Sequence, residues 1–252
     1  ESTFNSSDGN SYWCGDEELG GYLDSWIQFL DTPSFTVPGG GQLTADMMWT
    51  IEDPADAVVA GSCTNGWDAA NVQISIDEGQ SWELLQGSDP YDFTCGYGFI
   101  WNSTEYDTGG DLNHLAAGWG GNADWHNVSF DLNQYAGQSA IVRFAFGSDP
   151  AYCTLDDGSI TGLHVDNITV SGALDCTPED NCDYTASGAV WFDQFYDYVA
   201  DGQPGYNGWE PYLAGYPFNG NVFMDISDFA GKDVTFRVAS RYDADDDGGS
   251  GS

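Results

Sequence analysis

The chain has 252 residues, with 41 acidic side chains against four basic ones, for a formal charge of −37. That balance excludes nucleic acid and anionic membrane surfaces as partners, because both are held through basic patches. Aromatics at 15% and 33 Gly favour many short strands joined by tight turns over helices, in one large all-β domain or two smaller ones.

Residues 1–12 are polar and Ser/Asn-rich. Trp26–Leu30 and Ser34–Val37 read as strand pieces punctuated by Pro33 and Pro38. Gln42–Ile51 alternates, with Leu43, Ala45, Met47 and Trp49 on one face, and Asn71–Ile76 does the same with Val72, Ile74 and Ile76. The latter runs into S-I-D-E-G-Q-S-W, Ser75–Trp82, an Asp-box pattern. It predicts a structural hairpin in which Asp77 accepts from backbone amides and Gly79 takes a positive φ. Gln86–Ala123 is a long aromatic and Gly-rich stretch with a possible strand at Phe99–Trp101. Ala140–Phe146 and Leu163–Val170 are rich in β-branched and aromatic residues and read as strands, entered by a turn at Asp131–Gly137 and separated by the acidic loop Ser148–Thr161. Val190–Val199 is the best helical candidate and fits an aromatic-rich strand equally well.

The pattern of that region returns once. One offset superposes Asp131 on Asp225, Ala136 on Ala230, Gly137 on Gly231, Arg143 on Arg237 and Asp149 on Asp243. Identities held at one offset point to a duplicated unit. The second copy stops before a counterpart of Leu163–Val170. The expected organisation is a complete unit over 1–173, a Cys-containing linker over 174–186, and a partial second unit with an acidic Gly/Ser tail over 187–252.

Six cysteines, Cys14, Cys63, Cys95, Cys153, Cys176 and Cys182, suit an oxidising, extracellular setting and allow 15 pairings. Cys176–Cys182 closes a short loop, and Cys63–Cys95 with Cys14–Cys153 would complete the set. No C-x-x-C occurs, which argues against zinc or dithiol chemistry. The chain shows no starting Met, no signal peptide and no apolar run approaching the ~18–20 residues of a membrane span. It is expected to be a processed or partial piece of a secreted protein.

The order W-C-G-D-E, then V-x-I-S-x-D-E-G-x-S-W, then F-D-L-x-x-Y-A-G-Q-x-x-x-V-R-F-x-F-x-S-D, then V-D-N-I, resembles the MAM-like jelly-roll domains. These occur beside immune inhibitor A metallopeptidases and in large bacterial surface and secreted proteins. The resemblance spans residues 11–172 and, as the back half of a second copy, 187–243. It implies an exported, non-catalytic antiparallel jelly-roll β-sandwich, often Ca²⁺-stabilised, and it fixes no ligand. The chain departs from the family pattern in having little before the W-C-G region and in lacking the last strand of the second copy. Either the fragment is cut from a longer protein or another chain supplies the missing strands, and addition at an open sheet edge would build fibres.

The chemistry is sparse. No H-E-x-x-H and no G-x-S-x-G occurs, His114, His126 and His164 are scattered, and so many acids leave carboxylate pairs uninformative. The charge admits two readings that can coexist: a solvated acidic surface suited to high salt, and carboxylates that bind Ca²⁺. Candidate ligands are Asp149, Asp156, Asp157 and Asp166 with Asp16, Glu17 or Asp68 from the front half. Asp243, Asp245 and Asp247, in D-x-D-x-D-G, are either a second site or a frayed tail. Trp101, Trp119 and Trp125 are the candidates for a sugar-stacking platform, although most Trp in a sandwich are core. Asn5, Asn102, Asn127 and Asn167 open N-x-S/T sequons. The expectation is a non-enzymatic surface, adhesive or fibre-forming module, self-associating through sheet edges. A carbohydrate-binding accessory module of a secreted hydrolase or peptidase is the alternative.

Overall fold

The computed structural model describes residues 5–7, 9–59, 61, 63–103, 106, 114–176, 183–190, 230–231 and 233–235. The chain divides into two units, Glu1–Trp191 and Phe192–Ser252, and the architecture below is that of the first.

In chain order the strands are β1 (Tyr12–Trp13), β2 (Trp26–Asp31), β3 (Phe35–Thr36), β4 (Gln42–Thr50), β5 (Asn65–Gly66), β6 (Ala69–Ser75), β7 (Glu83–Leu84) and β8 (Cys95–Gly96). A short helix α1 (Tyr97–Asn102) follows, then β9 (Asn122–Asp131), a 3₁₀ turn at Asn133–Tyr135, β10 (Ser139–Gly147), β11 (Gly162–Val170), β12 (Leu174–Cys176) and β13 (Thr185–Val190). The result is an all-β, jelly-roll-like antiparallel sandwich. One sheet runs β1-β11-β4-β9 with β12 also on β11, and the other runs β13-β2-β10-β6-β7 with β3 on β10. β5 and β8 form a separate parallel pair.

Period-two alternation sends Leu43, Ala45, Met47 and Trp49 of β4 inward, against Val72 and Ile74 of β6 and Val142, Phe144 and Phe146 of β10. Each buried Leu, Val, Ile, Met or Phe among them stabilises by about 1.5–3 kcal/mol. The second sheet is also covered on its outer face. Ile27, Ala69 and Ala145 pack there with Phe93, Phe99, Tyr106 and Ala116 from the long stretch after β7. β6 is therefore buried at every position. Its buried amide nitrogens are paired: Asn71 Nδ2 donates to the Leu115 and Ala117 carbonyls, and Gln73 Nε2 donates to Asn71 Oδ1 and to the Tyr106 hydroxyl.

Three local expectations change. Phe99–Trp101 lies in α1, where an apolar run as short as this carries no period that separates helix from strand. Ile76 lies outside β6 and is 41% exposed, because the Asp-box turn begins at Ser75, whose hydroxyl accepts from Gly79 N–H. The linker expected over 174–186 carries β12, and β13 crosses the expected 186/187 boundary to pair with β2, Thr185 opposite Asp31 through Val190 opposite Trp26. The helical candidate Val190–Val199 lies outside the described residues beyond Val190. Gly231 has φ +83°, matching +82° at Gly137, the position with which the sequence repeat superposes it.

Candidate metal centre

The strongest chemical feature lies at one end of the sandwich, where β4 and β10 finish and β2, β6 and β11 begin. Glu52 follows β4, Asp68 precedes β6 and Asp149 follows β10, and one ligand oxygen from each lies within 4.8 Å of the others. Asp68 is fully buried. It accepts from the Tyr22 hydroxyl at 2.5 Å and from Asp149 N–H at 2.8 Å. Asp149 accepts from Ala151 N–H at 2.9 Å, whereas Glu52 Oε2 is buried with no hydrogen-bond partner. A second triad, Asp24, Cys153 and Asp156, meets the same 4.8 Å limit. Asp24 also leaves a buried oxygen, Oδ1, without a hydrogen-bond partner. Its charge acts on both Glu52 and Asp149, so the two triads adjoin.

Electrostatics set this cluster apart. Burial, then the charges of Asp149, Asp24 and Asp53, pushes Glu52 up to about 8. Burial, reinforced by Asp24, pushes Asp149 up to about 7 despite its amide donor. Asp68 is raised well above the carboxylate range by burial and then by Asp149. Among the described residues the single Lys or Arg is Arg143. It is held in a fork by Asp31, at 2.7 and 2.8 Å, between the rings of Phe29 and Trp82. Among the described residues, therefore, no Lys or Arg balances the cluster. Its donor set is hard oxygen, which suits Ca²⁺, and the two clustered carboxylates Glu52 and Asp24 retain unsatisfied lone pairs.

The scaffold around the cluster is firmly tied. Ser25 N–H donates to Asp149 O at 2.7 Å, Trp26 N–H to Ser148 Oγ at 2.8 Å, and the Ser148 hydroxyl to Leu23 O at 2.7 Å. The Asn102 amide donates to the Trp26, Gly98 and Ser148 carbonyls. The side-chain nitrogen of this sequon residue is thus committed to three carbonyls inside the fold.

Of the acids singled out in the sequence, Asp68 and Asp149 meet in one triad and Asp156 joins the adjoining one. The others go elsewhere. Asp16 caps its own turn by accepting from Glu18 and Leu19 N–H, and Glu17 is exposed beside it. Asp157 accepts from Ser159. Asp166 points to the outer face of the first sheet, where Ser7 donates to it. Asp243, Asp245 and Asp247 lie outside the described residues. The sequence reading missed Glu52, Asp24 and Tyr22, because nothing in their local pattern separates them from the other acids and tyrosines.

The Cys63–Cys95 disulfide is formed. The expected Cys14–Cys153 bridge is not. Cys14 Sγ accepts from Leu163 N–H at 3.0 Å and its thiol is raised by burial to about 12, while Cys153 faces Asp156 and Asp24. Cys182, with its expected bridge to Cys176, lies outside the described residues. The three tryptophans do not make one platform. Trp119 is 1% exposed, stacked on Trp49, with its Nε1 donating to Pro90 O. Trp101 sits on α1 and donates to Ser25 Oγ, and Trp125 lies on β9 and donates to Asn5.

Asp77 behaves as the Asp box requires. It accepts from Ser81 N–H, Ser81 Oγ and Ser75 Oγ, which hold it down at about 2, and Gly79 has φ +82°. No helix among the described residues is long and apolar enough to cross a membrane. No protein-family model matches the chain, and no curated protein matches it.

Proposed function

We propose that this chain is a non-catalytic extracellular module of the MAM-like type, a surface, adhesive or fibre-forming unit whose sandwich is clamped by Ca²⁺. The observation that carries the reading is the Glu52–Asp68–Asp149 triad: three carboxylates within reach of one ion, one of them with a buried, unpartnered oxygen, and no described Lys or Arg beside them. A divalent ion there joins the ends of β4 and β10 to the start of β6 and so ties one sheet to the other. The Cys63–Cys95 disulfide supports an oxidising compartment and hence export. Self-association through sheet edges rests on β9 and β13, the outermost strands of their sheets along the described path. Thermal unfolding in calcium and in EDTA tests the clamp: an EDTA-treated protein melts lower, and identical melting would sink the calcium reading. The alternative, a carbohydrate-binding module, is favoured by one observation on the opposite side of the first sheet.

A further inference from the structure

The outer face of the first sheet is not the polar surface a sandwich ordinarily shows to solvent. One rung of side chains crosses all four strands. Trp13 of β1 is opposite His164 of β11, which is opposite Met48 of β4. The irregularity between Met47 and Trp49 brings Trp125 of β9 to the end of that row. The rings are in contact: Trp13 stacks on His164 at 5.3 Å and Trp125 meets His164 edge-on at 6.1 Å. The next rung is Asp166, Asp46 and Asn127 in register, with Asn167 beside them. The third is Thr169, Thr44 and Ser129. An aromatic row thus adjoins a carboxylate and amide row on one face of the sheet.

The chain's own N-terminal segment sits on this face and shows what the face recognises. Asn5 Oδ1 accepts from Trp125 Nε1 at 3.1 Å, and Asn5 Nδ2 lies 3.2 Å from Met48 Sδ. The Ser7 hydroxyl donates to Asp166 Oδ2 at 2.8 Å and lies 3.4 Å from Asp46 Oδ2, and Asn167 Nδ2 donates to Ser7 Oγ at 3.1 Å. Under it, His164 and Asp166 are fully buried. The positions filled are those of a neutral, hydroxyl-bearing guest. Carboxylates take hydroxyl protons, an indole N–H and an amide donate to oxygen, and aromatic faces lie alongside.

We propose that this face is a binding platform for a neutral oligosaccharide, with Asn5–Ser7 as a plug that occupies its hydrogen-bonding positions until sugar displaces it. Sugar hydroxyls replace Ser7 at Asp46 and Asp166, Asn127 and Asn167 donate to ring or hydroxyl oxygens, and the apolar face of a pyranose lies on Trp125. An anionic glycan is disfavoured by the paired carboxylates and by the charge of the whole chain. The platform uses none of the residues at the metal centre, so the two readings stand or fall separately.

The test titrates cellopentaose, laminaripentaose, xylopentaose and mannopentaose into the full chain and into the Asn5→Ala/Ser7→Ala variant. Calorimetry and the Trp125 indole N–H resonance supply the readouts. The expected result is binding of at least one of the four sugars, tightened about tenfold once the plug is loosened, because the competent state is then no longer a minor population. Trp125→Ala, at a half-exposed position, should abolish that binding with melting retained. Should both proteins leave all four sugars unbound at millimolar concentration, or should binding persist unchanged in Trp125→Ala, the proposal is overturned. If the plug variant fails to fold, the unmodified chain decides alone, since the indole resonance must shift when Asn5 is displaced.

Discussion

Asp77 and Asp149 are the same side chain in opposite circumstances. Asp77 sits in an exposed turn surrounded by donors from Ser75 and Ser81, and its carboxyl is held at about 2. Asp149 is buried beside Asp68, with one amide donor, and is pushed up to about 7. In a chain this acidic, the number of carboxylates says little about ion binding. What matters is whether the fold supplies donors to each one. The Asp box is complete as folded, whereas the carboxyls at the sandwich end are short of donors, with Glu52 Oε2 and Asp24 Oδ1 unpartnered, which is the basis for the proposed cation there.

Several perturbations break or sharpen that contrast. Phe146, 1% exposed, meets the Tyr22 ring edge-on at 4.8 Å and so supports the hydroxyl that donates to Asp68. Phe146→Ala should cost about 3–5 kcal/mol in urea unfolding and weaken calcium affinity with it. Cys63→Ser removes a bridge with a sequence separation of 32. It should cost about 3 kcal/mol and loosen the approach to Asp68, visible as faster amide exchange in β5 and β8. Asn102→Ala strips donors from the Ser148 and Trp26 carbonyls next to Asp149, at a cost of about 1–3 kcal/mol, and should likewise lower calcium affinity.

The sign of the pH dependence is informative. In metal-free protein the folded values of about 7 for Asp149 and about 8 for Glu52 lie above the unfolded carboxylate range near about 4. Their contribution is therefore full below that range and lost as pH rises through about 7 and about 8. Melting of the EDTA-treated chain should fall across that interval, and saturating calcium should flatten the fall. Asp77→Ala is expected to do least. It should lower melting slightly, through loss of the turn, while leaving the calcium response intact, and a diminished calcium response there would erase the distinction between the two kinds of carboxylate.

Much of the architecture was legible. Alternation in β4, and β-branched and aromatic content in β10 and β11, give each strand nearly to its ends, and the Ser75–Trp82 pattern specifies a turn through short-range hydrogen bonds alone. Helix α1 was not legible, because six residues cannot show a period and its place is set by packing over β2, β6 and β10. The carboxylate cluster was half legible. Asp68 and Asp149 stood out in loops flanking recognisable strands, but Glu52 and Asp24 join them only through the crossing of four strand ends, which no local spacing encodes. Cys14 illustrates the same limit. An even cysteine count predicted a bridge, yet the thiol is buried as an acceptor for Leu163 N–H. Trp119 shows it for aromatics, since only the stacking on Trp49 distinguishes a core ring from a surface one.

The most direct test compares the calcium-induced rise in melting temperature of the unmodified chain with that of Glu52→Gln/Asp149→Asn. General screening of so acidic a chain would raise both alike. A clamp at the sandwich end raises the unmodified chain by about 5–10 °C at a calcium concentration about a hundred times Kd and leaves the double variant where it was. Equal rises in the two proteins would contradict a calcium site at Glu52, Asp68 and Asp149.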